Sequence, residues 1–277
     1  MSRAVFCFCL VAGLGWSVSV SAAGRHELIT RETETGTIVG YKDTPLQPWT
    51  GDKYCVHDPD RPIPAYVDPG PAPAGAGAPS DATVLFDGTD LSHWKASSWK
   101  VEEGYVEAGE GSLETNEAWG DFQLHLEWRA PATPPDRMMN RGNSGVLLMG
   151  RYEIQIFDSH PMHAEQIYPD GQAASLYGQT PPLVNACRRP GEWQSFDVIF
   201  TAPVFEGDKP VERPKVTVLH NGVLVHLEQE IYGPMAHCQI RPLEPHADRL
   251  PLSLQGHGSP VRFRNIWIRP LPDLRSQ

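Results

Sequence analysis

The stretch "GDFQLHLEWRA", residues 120–130, decides the fold. Phe122, Leu124, Leu126 and Trp128 alternate with Gln123, His125, Glu127 and Arg129, the period-two pattern of a strand with one apolar face. The apolar set is expected to face a core, and the polar set to be solvated or to line a concave polar surface. Similar short runs follow one another from about Ala82: "TVLFDG", "WKVEEGYVEA", "NSGVLLMGRYEIQIF", "WQSFDVIFTAP", "PKVTVLHNGVLVHLEQ", "LPLSLQGHG" and "VRFRNIWIRPL". Strands of this length separated by turn residues indicate an antiparallel sandwich or barrel nearly free of helix. Asn221-Gly222, between two alternating runs, is a strong hairpin signal.

At 277 residues the chain is long enough for one large β-sandwich. Residues 1–23 place Arg3 before a short apolar run that ends in small residues, the layout of a secretory signal cleaved near Ala22 or Ala23. An exported protein, periplasmic or extracellular, is therefore expected. Without that segment the chain carries 22 basic and 34 acidic residues, a net charge of −12. Such a surface repels phosphate backbones and anionic lipid, which argues against nucleic-acid and membrane partners and favours a neutral ligand such as a sugar. Cys55, Cys187 and Cys238 remain, an odd number without CxxC spacing; one disulfide, for instance Cys187 with Cys238, is compatible with an oxidising compartment. Nothing in the spacing of His160 and His163 or of Asp58 and Asp60 makes a dedicated ligand set, so neither metal nor cofactor is expected.

Residues 45–79 hold nine of the 27 prolines, a composition that favours extended chain over sheet or helix. Three regions are expected: a signal over 1–23, an irregular proline-rich segment and linker over 24–80, and a globular body over 81–277. Trp49 and Tyr54 are expected to anchor the middle region on the body.

The ordered motifs "LFDGTDLSHW", "GDFQLHLEWR", "GNSGVLLMGRYEIQIFDS", "RPGEWQSFDVIFTAP", "HNGVLV" and "LQGHGSPVRFRNIWIRPL" resemble the 3-keto-disaccharide hydrolase domain family over roughly residues 82–271. The resemblance implies an all-β, concanavalin-A-like jelly-roll sandwich and an enzyme that cleaves glycosides oxidised at carbon 3. In "YEIQIFDSH", residues 152–160, Glu153 and Gln155 share a face while Asp158 falls on the other. The stretch is similar to the bulged acid-bearing strand of laminarinase-type glycosidases, and a one-residue bulge would turn Glu153, Gln155 and Asp158 into one groove.

The resemblance makes Glu153 and Asp158 candidate acid–base groups, and His257, in the glycine-flanked "QGHGS", is a third that could act near neutral pH. Arg151, Gln155, His160, Asn143 and Trp193 are the candidate sugar contacts. A ketone at carbon 3 acidifies the hydrogen on carbon 2, so elimination of the carbon-1 substituent followed by hydration is one route. Direct hydrolysis by two carboxylates about 5–5.5 Å or 6.5–9.5 Å apart is another. A reading of a different class is a carbohydrate-binding sandwich module without catalysis, since this type of fold hosts both.

Overall fold

The computed structural model describes residues 26–34, 36–72, 77–133 and 138–272, so the expected signal lies outside the described residues. Two antiparallel sheets stack on one another. In the larger sheet Val223–Glu230, Lys215–His220, Gln194–Thr201, Phe122–Arg129, Arg262–Pro270, Tyr105–Glu107 and Lys100–Glu102 lie side by side, with Thr83–Phe86 also paired to Arg262–Pro270. The smaller sheet runs Tyr152–Ile156, Ser144–Leu148, Leu250–Leu254, Leu113–Trp119. Helix is limited, among the described residues, to three 3-10 turns. The fold is the all-β sandwich that the alternating pattern implies.

Phe122, Leu124, Leu126 and Trp128 are completely buried, packed with Phe196, Val198 and Phe263 of the same sheet and with Val146, Ile154 and Leu254 of the other. The opposite row is not a solvated face. His125 and Glu127 are buried: His125 pairs with Asp197 at 2.7 Å, while Glu127 accepts from Arg264 at 2.6 Å and from Asn265 at 3.0 Å. Burial opposes the charge on His125, but its hydrogen bonds to Asp197 and Glu127 prevail and raise its pKa to about 9. Asn221 and Gly222 both have positive φ, 54° and 80°, as the expected two-residue turn requires.

The front segment differs from expectation. Ile29–Thr33 and Gly36–Gly40 form a hairpin, and Gly36–Gly40 adds in parallel to Glu165–Ile167 of the body. The sequence supports this pairing, because "ITRET" and "GTIVG" are rich in β-branched residues. Gly36 is required by close approach: a Cβ there would lie 1.9 Å from the Ala164 carbonyl oxygen. Further on, Ala65–Tyr66 pairs in parallel with Val184–Asn185. Trp49 anchors on the body as expected, stacked on Tyr232 at 4.6 Å with 4° between the planes. The Tyr54 ring instead lies under Lys53 and Arg61 of its own segment.

The strongest tie between front segment and body is the fully buried carboxylate of Asp170. It accepts from the Gln47 side chain at 3.1 Å and from the His57 backbone at 3.0 Å. It also faces His57 Nδ1 at 3.3 Å and Arg61 at 3.9 Å. Arg61 in turn donates to Gln47 Oε1 at 2.6 Å and to the Gln179 carbonyl at 2.8 Å. Burial alone would raise the Asp170 pKa, but His57 and Arg61 outweigh it and lower the pKa. Removing one partner of a buried pair strands the other, at a cost of about 3–5 kcal/mol. Asp170→Ala should therefore destabilise the full chain by that order in urea unfolding, with a lower midpoint, and speed proteolysis between residues 41 and 66. An unchanged midpoint would show that the front segment is held without it.

Candidate active site

Between the smaller sheet and the front segment lies a cavity of about 280 Å³. That is near the lower end of the roughly 300–1,000 Å³ usual for small-ligand sites. Its walls include Glu153, Gln155 and Phe157 from one strand and the turn that follows it, Asn143 before the neighbouring strand, and Gln255 and His257 after a third. Tyr41 of the front segment and Tyr168, Tyr177 and His237 of two long loops close it.

Strand alternation explains the floor. Tyr152–Ile156 pairs residue for residue with Ser144–Leu148, without a bulge. Glu153, Gln155 and Phe157 therefore fall in phase on the cavity side, while Tyr152, Ile154 and Ile156 enter the core. The expected bulge is absent, and Asp158 does not reach the cavity. It is buried elsewhere, accepting from His163 Nε2 at 2.6 Å and from the His160 backbone at 3.2 Å.

Glu153 is buried with no hydrogen bond or ion pair to its carboxyl among the described residues. Desolvation raises its pKa from 4.5 to about 8. On the next strand Glu153 pairs with Leu147 and Gln155 with Gly145, and a Cβ on Gly145 would come within 2.1 Å of Glu153 Oε1, so glycine makes the room the carboxyl occupies. Gln155 is likewise buried, and its Oε1 has no partner. On the opposite wall, the Tyr177 hydroxyl meets the Tyr168 hydroxyl at 3.2 Å and His237 Nδ1 at 3.0 Å. Burial pushes both phenols well up, so they remain neutral donors. Among the described residues, the lining contains one carboxyl and neither arginine nor lysine.

Of the eight residues singled out from the sequence, Glu153, Gln155, Asn143 and His257 meet in this cavity. Arg151 does not share it. It follows the tight turn through Met149 and Gly150, both at positive φ, and lines an adjoining groove with Pro234, Met235 and Arg241. His160 and Trp193 belong to a third, open groove of about 900 Å³ with Tyr66, Arg188, Arg189 and Arg264. There the guanidiniums of Arg264 and Arg129 sit 4.1 and 4.8 Å from the Trp193 ring centre, so the ring is occupied as a cation–π partner. The disulfide expectation is corrected: Cys55, Cys187 and Cys238 are all buried free thiols.

Sequence reasoning missed Tyr41, Tyr168, Tyr177 and His237. They lie on irregular connections, where periodicity carries no information. The available signal was the length of the polar segment between Ile167 and Val184, since long loops in compact domains are commonly functional.

The cavity thus brings a buried carboxyl, aromatic hydroxyls and imidazoles together on a β-sandwich. The chain belongs to the 3-keto-α-glucoside-1,2-lyase-like domain family, whose model matches residues 81–269. A crystal structure of a candidate glycosyl hydrolase from Parabacteroides distasonis is 40% identical. The similarity covers 76% of this chain and 93% of that one, with a TM-score of 0.68. Two further candidate glycosyl hydrolases from the same organism share the fold, each at TM-score 0.52. One is 21% identical, covering 69% of this chain and 94% of its own, and the other 23% identical, covering 69% and 99%. No curated protein matches the chain.

The Glu153 pKa makes stability depend on pH with a definite sign. The folded state holds this proton more tightly than the unfolded chain, so its contribution is fully present below about pH 4.5. It is lost as pH rises through about 8, at about 1.4 kcal/mol per pH unit. Glu153→Gln lacks this titration. Urea midpoints taken from about pH 5 to 8 should show the variant gaining on the wild type as pH rises and the difference levelling off above about 8. Parallel curves would mean that the carboxyl is hydrated in the folded state.

Proposed function

We propose that the protein is a 3-keto-glycoside lyase that cleaves the glycosidic bond by elimination, with Glu153 as the general acid. The observation that carries this reading is that Glu153 is the single carboxyl lining the cavity among the described residues. Hydrolysis by retention or inversion uses two carboxyl groups across the scissile bond, and Asp158, the second candidate, is held by His163 outside the cavity.

A 3-keto sugar offers a route that needs only one. A base removes the proton from carbon 2, the carbon 1–carbon 2 double bond forms, the carbon 1–oxygen bond breaks, and the departing oxygen takes a proton. Glu153 still holds a proton at neutral pH, and a group whose pKa lies near the working pH is suited to give it to the leaving oxygen. His257, between two glycines at the rim, is the base in this scheme. Gln155, Asn143 and the neutral Tyr177 hydroxyl supply hydrogen bonds for the sugar hydroxyls and for the enolate oxygen. Water added to the unsaturated product afterwards would give net hydrolysis. The sequence layout of residues 1–23 supports action after export.

The test is incubation of the purified protein with 3-keto-trehalose or a 3-keto-glucoside, followed by mass analysis of the products. Elimination predicts two products whose masses sum to that of the substrate, one of them unsaturated. Products that carry one extra water from the earliest time points would sink the lyase reading. Glu153→Gln keeps the shape but cannot give the proton, and should turn over at least about 100-fold more slowly, as is typical for loss of a positioned acid–base group. Wild-type turnover by a folded Glu153→Gln protein would remove Glu153 from the chemistry.

A further inference from the structure

Three residues distant in sequence, His57 of the front segment and His237 and Cys238 of a late loop, bring one nitrogen or sulfur each to within 4.8 Å of one another. The proposed reaction uses none of them. His57 is completely buried, and its two ring nitrogens are treated differently. Nδ1 faces the Asp170 carboxylate at 3.3 Å, whereas Nε2 is buried with no hydrogen-bond partner among the described residues. A buried ring nitrogen left without a partner is unfavourable and rare in a folded protein unless something absent from the coordinates completes it.

The arrangement around the other two donors is complementary. His237 Nδ1 is held by the Tyr177 hydroxyl at 3.0 Å, which turns Nε2 toward Cys238 Sγ at 3.3 Å. His57 and Cys238 also both have left-handed backbone, at φ 61° and 55°, a conformation that non-glycine residues adopt rarely and that clusters at functional sites. At Cys238 it occurs directly beside a second donor of the cluster.

From this geometry we infer that His57 Nε2, His237 Nε2 and Cys238 Sγ form a binding site for a borderline-soft divalent metal ion, with zinc the best match. Zinc takes imidazole nitrogen at about 2.0–2.1 Å and thiolate sulfur at about 2.3 Å, so tetrahedral donors stand roughly 3.3–3.6 Å apart. The Cys238–His237 pair already has this spacing, the third donor lies within 4.8 Å, and His237 is the exposed member of the set, the one free to adjust. Ligating histidines characteristically offer their second ring nitrogen to a carboxylate or another polar group. Asp170 and Tyr177 occupy those places. Hard cations such as calcium are disfavoured, because the donors are nitrogen and sulfur without a carboxylate.

Three protein donors leave a fourth position, and His237 is the donor that lines the cavity. That position would take a water or an oxygen of the bound sugar. This last assignment rests on the cavity being the sugar site, whereas metal binding does not.

The full chain, stripped with a chelator and dialysed against cobalt(II) as a spectroscopic probe, tests the site. The expected result is about one cobalt per chain, with the intense visible bands of four-coordinate cobalt and a sulfur-to-metal charge-transfer band in the near ultraviolet. Cys238→Ala should lose the charge-transfer band, and Cys55→Ala should keep it. Zinc should displace the cobalt and raise the melting temperature of the wild type, because a ligand that binds only the folded state stabilises it. The wild-type spectrum decides the thiolate question even if a variant fails to fold. Fewer than about 0.1 equivalents of cobalt bound, or a charge-transfer band that survives in Cys238→Ala, would overturn the assignment. Because no sugar is present, failure here leaves the elimination chemistry untouched, and failure of turnover leaves the metal site untouched.

Discussion

The buried carboxylate of Asp170 is the constraint on which the rest of the arrangement depends. A carboxylate removed from water is tolerated only when charge and hydrogen bonds surround it. Here nearly all of those partners come from the front segment: the Gln47 amide, the His57 backbone and ring, and Arg61. The body thus carries a charge that the proline-rich segment must neutralise. Once Gln47 and His57 are fixed, the chain between them and the hairpin is fixed too. Tyr41 then packs near Tyr168 at 6.1 Å between ring centres and becomes a cavity wall.

Glu153 is the counterpart. Both carboxyls are buried, but Asp170 is surrounded by donors and Glu153 meets none, so the first stays ionised and the second holds its proton to about pH 8. Two carboxyl groups separated in this way divide the work between them, one holding structure and the other available for proton transfer. Gly145 is part of the same design, because any side chain there would push the Glu153 carboxyl out of the position where it is dehydrated. The cost of keeping an unpaired acid buried is carried by the large core behind Tyr152, Ile154 and Ile156.

The sandwich was legible because its signal is periodic. Residues 122–129 and the Asn221-Gly222 turn could be read directly, and the alternation placing Glu153 and Gln155 together was correct. The error at Asp158 came from importing a bulge by analogy when plain alternation, continued one step further, puts Phe157 in the cavity instead. The front hairpin was overlooked because proline content dominated the reading of a region whose first residues, Ile29–Gly40, contain none. Tyr41, Tyr177, His237 and His57 were invisible for a different reason. Each sits on irregular chain, and what joins them is a long-range fold contact rather than spacing.

The family match begins at residue 81, yet the cavity is closed by Tyr41, and Asp170 is satisfied by residues 47–61. The cavity of the matched domain is therefore completed by a segment outside it. Without that segment Asp170 would lose its neutralising partners and Glu153 would meet water from the side that Tyr41 now covers. Hydration stabilises the ionised form, so the Glu153 pKa would fall toward the ordinary carboxyl range and the proton it holds at neutral pH would be released. The front segment and Glu153, distant in sequence, thus share one cavity wall. The segment's hairpin suits the task, since pairing with Glu165–Ile167 and burying Val39 and Tyr41 against Phe157, Ile167 and Tyr168 fixes the wall on the body.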